Sequence, residues 1–131
     1  MTDNSENRPL ALIIDDASTV RMYHRKLVED QGWTVLEAEN GMEALERFGD
    51  RPVHLMLVDV NMPIMDGYSF IAAARATPGL AHVPAVMIST ESQLIDRDKA
   101  YAAGANHYLV KPALPPELSQ LLTLLSPEVS A

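Results

Sequence analysis

The chain has 131 residues, 47% of them hydrophobic, which suits one domain with a proper core and leaves little room for a second. A formal net charge of −8 argues against a nucleic-acid surface, and the absence of cysteine excludes disulfides and thiolate metal sites and fits a reducing cytoplasm. No apolar run is long enough to span a bilayer, and the polar opening "MTDNSENRP" lacks the basic start and apolar middle of a secretory signal.

Residues 1–8 are expected to form a flexible leader, 9–126 the folded domain and 127–131 a short tail. The first apolar run, "LALII" (10–14), predicts a strand that ends in Asp15-Asp16. Helical spacing follows over 17–31, with Val20, Tyr23, Leu27 and Val28 as the apolar stripe. "TVLEA" (34–38) alternates, as an edge strand should, and Met42, Leu45 and Phe48 mark a helix over 41–49. "HLMLV" (54–58) is the third strand and runs into Asp59; the turn "NMPIMDG" follows, with Met62 and Met65 as adaptable fillers. The next helix, over 66–76, carries Tyr68 or Phe70, Ile71 and Ala74. "VPAVMI" (83–88) is the fourth strand, ending in Ser89-Thr90. A helix over 92–103 has Leu94, Ile95, Ala100 and Ala103 as its stripe and Gly104 as its stop. "HYLV" (107–110) is the last strand and ends in Lys111-Pro112. Pro115-Pro116 opens a final helix to about Leu125, in which Leu118, Leu121, Leu122 and Leu125 share a face and Leu124 falls off it. Packing on the sheet is the default for those leucines; a partner or self-association patch is the sharper alternative.

Strict alternation of strand and helix with short connections implies right-handed βαβ units and a mainly parallel α/β sheet covered on both faces. The polar residues that end the strands then gather on one sheet edge, where open α/β sheets form their ligand sites. Three carboxylates, a hydroxyl and an ammonium are expected to meet there. Three close carboxylates repel, and Lys111 alone does not balance them, so a cation is expected among them. Oxygen donors without histidine or cysteine favour a hard divalent ion, Mg²⁺ first, and such an ion beside a lysine holds phosphoryl groups. One carboxylate is left as a nucleophile able to form an acyl phosphate. Each feature also has an ordinary structural role: Asp15-Asp16 as helix-capping acids, Asp59 as a strand end, Thr90-x-x-Gln93 as a capping box. Four such features at four strand ends are hard to explain as punctuation. The four histidines, His24, His54, His82 and His107, show no metal-ligand spacing and read as surface or core filling.

In the motifs "IIDDASTVR", "LVDVNMPIMDG", "VMISTES" and "GANHYLVKP", the chain resembles the receiver domains of two-component response regulators over residues 9 to 125, and within them the stand-alone chemotaxis type similar to CheY. The resemblance implies a flavodoxin-like, doubly wound (βα)5 fold with strand order 2-1-3-4-5. It implies that Asp59 is the phosphoacceptor, and that Asp16 and Asp59 are side-chain Mg²⁺ ligands with Asp15 assisting. Asn61 would offer its backbone carbonyl to the same ion. Lys111 matches the lysine that pairs with phosphoryl oxygens, Ser89 the switch hydroxyl, and Tyr108 the aromatic residue that turns inward on activation. Lys111-Pro112 matches a bond that is often cis. The implied phosphodonor is a histidine kinase or a small acyl phosphate, and the implied output face comprises the fourth and fifth helices and the last strand.

Two positions depart from the pattern. Thr90 stands where many receivers have a small residue, and with Glu91 it is expected to tune the lifetime of the phosphate; exposed residues leading into a helix are the plainer alternative. Ala113 replaces the usual phenylalanine after Lys-Pro. A cytoplasmic switch acting through protein contacts, as a monomer or a weak phosphorylation-dependent dimer, is the leading functional expectation, since no room is left for a DNA-binding effector after residue 125. An Mg²⁺-dependent aspartyl-phosphate phosphohydrolase is the rival, but Asn61 stands where such enzymes carry the second Asp of a DxD motif. A phosphorelay intermediate and a constitutive pseudo-receiver are further alternatives.

Overall fold

A computed structural model describes residues 8–49 and 51–126; the expected tail and all but the last residue of the expected leader lie outside them. Five strands alternate with five helices: β1 (Leu10–Ile14), α1 (Ser18–Asp30), β2 (Thr34–Ala38), α2 (Gly41–Arg47), β3 (Leu55–Asp59), α3 (Gly67–Arg75), β4 (Ala85–Ser89), α4 (Leu94–Ala103), β5 (His107–Val110) and α5 (Pro115–Leu125). The strands form one parallel sheet in the order β2-β1-β3-β4-β5. Every residue of β1, β3 and β4 is buried, as continuous apolar runs in central strands require, and alternating "TVLEA" lies on an edge.

Successive strand residues point to opposite faces, so two cores result. Leu12, Ile14, Met56, Val58 and Met87 face one way and are covered by Ala44 of α2, Phe70, Ile71 and Ala74 of α3, and Ala100 of α4. Ala11, Ile13, Leu55, Leu57, Val86 and Ile88 face the other way, against Val28 of α1 and Leu118 and Leu122 of α5. Leu121 and Leu125 pack partly on this second core, while Leu124 is exposed. Met62 and Met65 pack at the margin of the first core.

Two helical stripes differ from expectation. Leu94 and Ile95 are 77% and 60% exposed, and α4 is anchored by Ala100 instead. At about 100° per residue, neither position shares a face with Ala100, and the side-chain spacing alone misassigned them. In α1, Tyr23 is turned outward, its hydroxyl donating to the Ala113 carbonyl at 2.8 Å, and His24 takes the inward position between Val20 and Val28. The Thr90-Gln93 capping box does not form: Gln93 is itself the N-cap of α4, and its N–H donates to Asp96 at 3.3 Å. Ala17, not an acid, occupies the N-cap of α1, which leaves Asp15 and Asp16 free of that role.

At the amino edge of the sheet, the Arg75 guanidinium donates to the carbonyls of Val83 (2.7 Å) and Gly104 (2.8 Å) and to Asn106 Oδ1 (2.9 Å). Asn106 Oδ1 also accepts the Ala85 N–H at 2.9 Å. These bonds knit the ends of α3, β4 and β5 together and leave the opposite edge, where the strands end, to carry the polar cluster.

Candidate functional site

β1 and β3 are hydrogen-bonded neighbours, so Asp15, Asp16 and Asp59, at or just past their carboxyl ends, come together. Each offers a carboxylate oxygen within 4.8 Å of the others. Asp59 is 6% exposed and Asp15 is buried, while Asp16 faces solvent. Lys111 reaches in from the end of β5: its Nζ donates to Asp59 Oδ1 at 2.8 Å and Asp15 Oδ2 at 2.9 Å. Asp15 Oδ1 takes the Ala17 N–H at 2.9 Å, which fixes its rotamer.

Burial drives the Asp59 carboxyl above the ordinary carboxylate range; Lys111 pulls it back, and Asp15 and Asp16 push it further up. Burial alone would depress the Lys111 ammonium, but its bonds to Asp59 and Asp15 outweigh that and hold it above its usual value. Three carboxylates facing one ammonium leave negative charge uncompensated. That charge, an all-oxygen donor set and the open side at Asp16 fit a hard divalent cation that retains waters.

The turn after Asp59 is tightly built. The Gly67 N–H donates to the Val60 carbonyl at 2.9 Å, and Asp66 caps α3 by accepting the Ser69 N–H at 2.8 Å. Asn61 is exposed on this turn. The Lys111 N–H donates to the Ser89 carbonyl at 2.7 Å, tying β5's end to β4's, and the Lys111-Pro112 bond is cis.

Ser89 is buried, and its Oγ accepts the Glu91 N–H at 3.1 Å. Tyr108 is also buried, in an inward position, and its hydroxyl donates to the Glu91 carbonyl at 2.7 Å. One residue's main chain therefore joins the two side chains expected to act as a switch. Arg97 stands 5.8 Å from the centre of the Tyr108 ring, a cation–π contact that no sequence signal marked. The side chains of Thr90 and Glu91 are exposed. Thr90 borders a mostly apolar cavity of about 370 Å³ shared with Thr19, Tyr23, His24, Lys111 and Pro112.

His24 is the feature most easily missed in the sequence. It is 2% exposed, and its Nε2 has no hydrogen-bond partner among the described residues. Burial lowers its pKa below 6.5, with Lys111 adding to the effect and Asp15 opposing it. Below that value the unfolded chain takes up a proton that the folded chain resists, so stability should fall as pH drops through 6.5 and beyond. A His24→Leu protein is expected to be at least as stable at pH 7 and to lose less stability between about pH 7 and pH 5.5. Thermal unfolding across that range checks this, and an unchanged acid slope would count against it.

The family model described as "Response regulator receiver domain" matches residues 11–123. The chain is 34% identical to the chemotaxis protein CheY1 of Helicobacter pylori over 116 residues, 87% of this chain and 94% of that one. It is 37% identical to the sensor histidine kinase CheAY of the same species over 111 residues, which is 83% of this chain but 14% of that longer protein. Among solved structures, the chemotaxis protein CheY4 of Vibrio cholerae superposes with a TM-score of 0.84 at 30% identity, covering 90% of this chain and 98% of that one.

Proposed function

The chain belongs to the response regulator receiver domain family, and on that premise we propose that it is a phosphorylation-controlled switch in chemotaxis-like two-component signalling. The observation that carries the reading is Asp59 itself: a buried carboxylate at a strand end, paired with Lys111 inside an acidic cluster. Asp59 attacks the phosphoryl group of a phosphohistidine on a histidine kinase, or of a small acyl phosphate. The bond from phosphorus to the donor breaks as the bond to the Asp59 carboxylate forms. Asp15, Asp16 and Asp59, with the Asn61 carbonyl, would hold Mg²⁺. When bound, the ion offsets the clustered negative charge and polarises the phosphoryl oxygens. Lys111 supplies a fixed positive charge against those same oxygens, already oriented by two carboxylates.

Ser89 Oγ leaves the Glu91 N–H to donate to the new phosphate, and Glu91 carries that movement to Tyr108 through its carbonyl. The response is read as a change in protein binding on the α4-β5-α5 face, where Leu94, Ile95 and Tyr101 already stand exposed. Thr90 and Glu91 set how easily water reaches the acyl phosphate and so how long the signal lasts. The chain acts chemically only on its own phosphorylation and dephosphorylation. Residues 9–126 form the functional domain, acting in the cytoplasm as a monomer or a weak phosphorylation-dependent dimer. Neither nucleic acid nor a membrane is a partner in this reading. None of the described helices is long and apolar enough to cross a membrane. No observation favours the phosphohydrolase reading over this one.

The test is intact mass during incubation with Mg²⁺ and acetyl phosphate. One phosphoryl adduct is expected, and chelating the metal should abolish it. No adduct with the metal present would overturn the reading. In the same time course, the Thr90→Ala/Glu91→Ala protein should lose its adduct at a rate at least about threefold different from wild type. An unchanged decay would remove the lifetime role from those residues.

A further inference from the structure

The carboxylates of the acidic pocket are only as well placed as the backbone between them, and that backbone is held by a side chain that ends the motif "IIDDASTVR" without a role of its own so far. The main chain of Asp15 is held on both sides: its N–H donates to the Ala38 carbonyl at 3.1 Å, and its carbonyl accepts Arg21 Nη1 at 2.5 Å. Arg21 projects from α1 with its side chain 12% exposed, and its Nε is fixed by Glu37 Oε1 of β2 at 2.9 Å. Glu37 is in turn held from its other oxygen by Arg25 at 2.6 Å. The Asp15 carbonyl belongs to the peptide that leads into Asp16, the solvent-facing member of the acidic trio. Fixing that peptide plane fixes the direction in which Asp16 leaves the chain.

We propose that Arg21, oriented by Glu37, is a positioning residue for divalent cation binding: it locks the Asp15–Asp16 peptide so that both carboxylates converge with Asp59. The inference rests on the receiver reading, in which this pocket holds Mg²⁺. Arg21's forked guanidinium suits the task because one arm meets the carbonyl while another meets the carboxylate, which a lysine cannot do. Outer residues that orient metal ligands typically change affinity by about 10–100-fold when removed.

Charge alone makes the opposite forecast, which gives the test its power. Arg21 is a cation near a cation site, so deleting its charge should tighten Mg²⁺ binding if through-space repulsion were its only effect. Positioning requires weaker binding. Calorimetric titration of the unphosphorylated protein with Mg²⁺ is expected to show affinity falling about tenfold for Arg21→Gln. Lys26→Gln, which removes the same charge from an exposed position of α1 paired with Asp30, outside the Arg21–Glu37–Arg25 contacts, should stay within about twofold of wild type, on the measure that an exposed surface charge contributes little. Equal or tighter binding by Arg21→Gln, or an equal fall in Lys26→Gln, overturns the proposal. Should Arg21→Gln not fold, Arg21→Lys carries the test: it keeps the charge and loses the fork, so affinity should fall and an unchanged value overturns the proposal. Wild type that binds no Mg²⁺ would instead contradict the functional reading, so the two failures are distinct.

Discussion

An Asp59→Asn protein is expected to fold as well as wild type and to accept no phosphoryl group, a loss of at least about three orders of magnitude in labelling rate, the scale on which removal of a nucleophile acts. The two halves of that expectation come from the same geometry. Asparagine has the shape of aspartate, and its carbonyl oxygen can still accept Lys111 Nζ, which is 2.8 Å from Asp59 Oδ1. Lys111 also keeps its bond to Asp15, so no buried cation is left unpaired. Burial already disfavours the charged form of Asp59, so neutralising this position removes a cost to the fold. An amide nevertheless cannot act as the oxygen nucleophile. Thermal unfolding beside intact-mass labelling with acetyl phosphate and Mg²⁺ reads both halves. A labelled variant would show that another group accepts the phosphoryl, and an unfolded one would show that the carboxylate is structural.

Gly67→Ala is expected to be among the most damaging single changes available near the site. A Cβ at Gly67 would stand 2.2 Å from the Asp59 carbonyl oxygen and 3.1 Å from Met87 Cε. The carbonyl cannot retreat, because β3 is bonded on one side to β1 and on the other to β4, with Asp59 opposite Ile88. The start of α3 must move instead, straining the bond from the Gly67 N–H to Val60 and the Asp66 cap that holds Ser69. Overpacking against fixed backbone costs about 3 kcal/mol, a large share of a stability that is roughly 5–15 kcal/mol for a domain. The midpoint of thermal unfolding should fall by roughly 10 °C, and labelling of Asp59 should slow with it. Ser69→Ala, an exposed change on the same helix, should leave both nearly unaltered. A Gly67→Ala protein as stable as wild type would mean that the turn yields where its hydrogen bonds indicate it cannot.

Much of this site could be read from residue types. β1, β3 and β4 announced themselves because strands buried on both faces need unbroken apolar runs, and each polar interruption at their carboxyl ends stood out against that background. Parallel topology then required Asp15, Asp16, Asp59, Ser89 and Lys111 to meet. What stayed hidden is chemistry done by the main chain. The Glu91 peptide joins Ser89 to Tyr108, and the Asp15 carbonyl holds Arg21, yet carbonyls and amides look alike at every position of a sequence. Spacing also misled where a helix is anchored by alanines: the large Leu94 and Ile95 drew attention from the small Ala100 that packs. His24 was obscured for the reverse reason, a polar residue type at a position that the neighbouring stripe of Val20, Leu27 and Val28 already marked as inward.

The most direct measurement is the chemical location of the phosphoryl group. Borohydride reduces an aspartyl acyl phosphate to homoserine, so reduction after labelling with Mg²⁺ and acetyl phosphate leaves a permanent mark at the acceptor. Peptide mapping should find homoserine at position 59 and nowhere else. Homoserine at Asp15, Asp16 or any other carboxylate, or its absence from a protein that has gained the phosphoryl mass, would contradict the assignment of Asp59 as the residue that receives the signal.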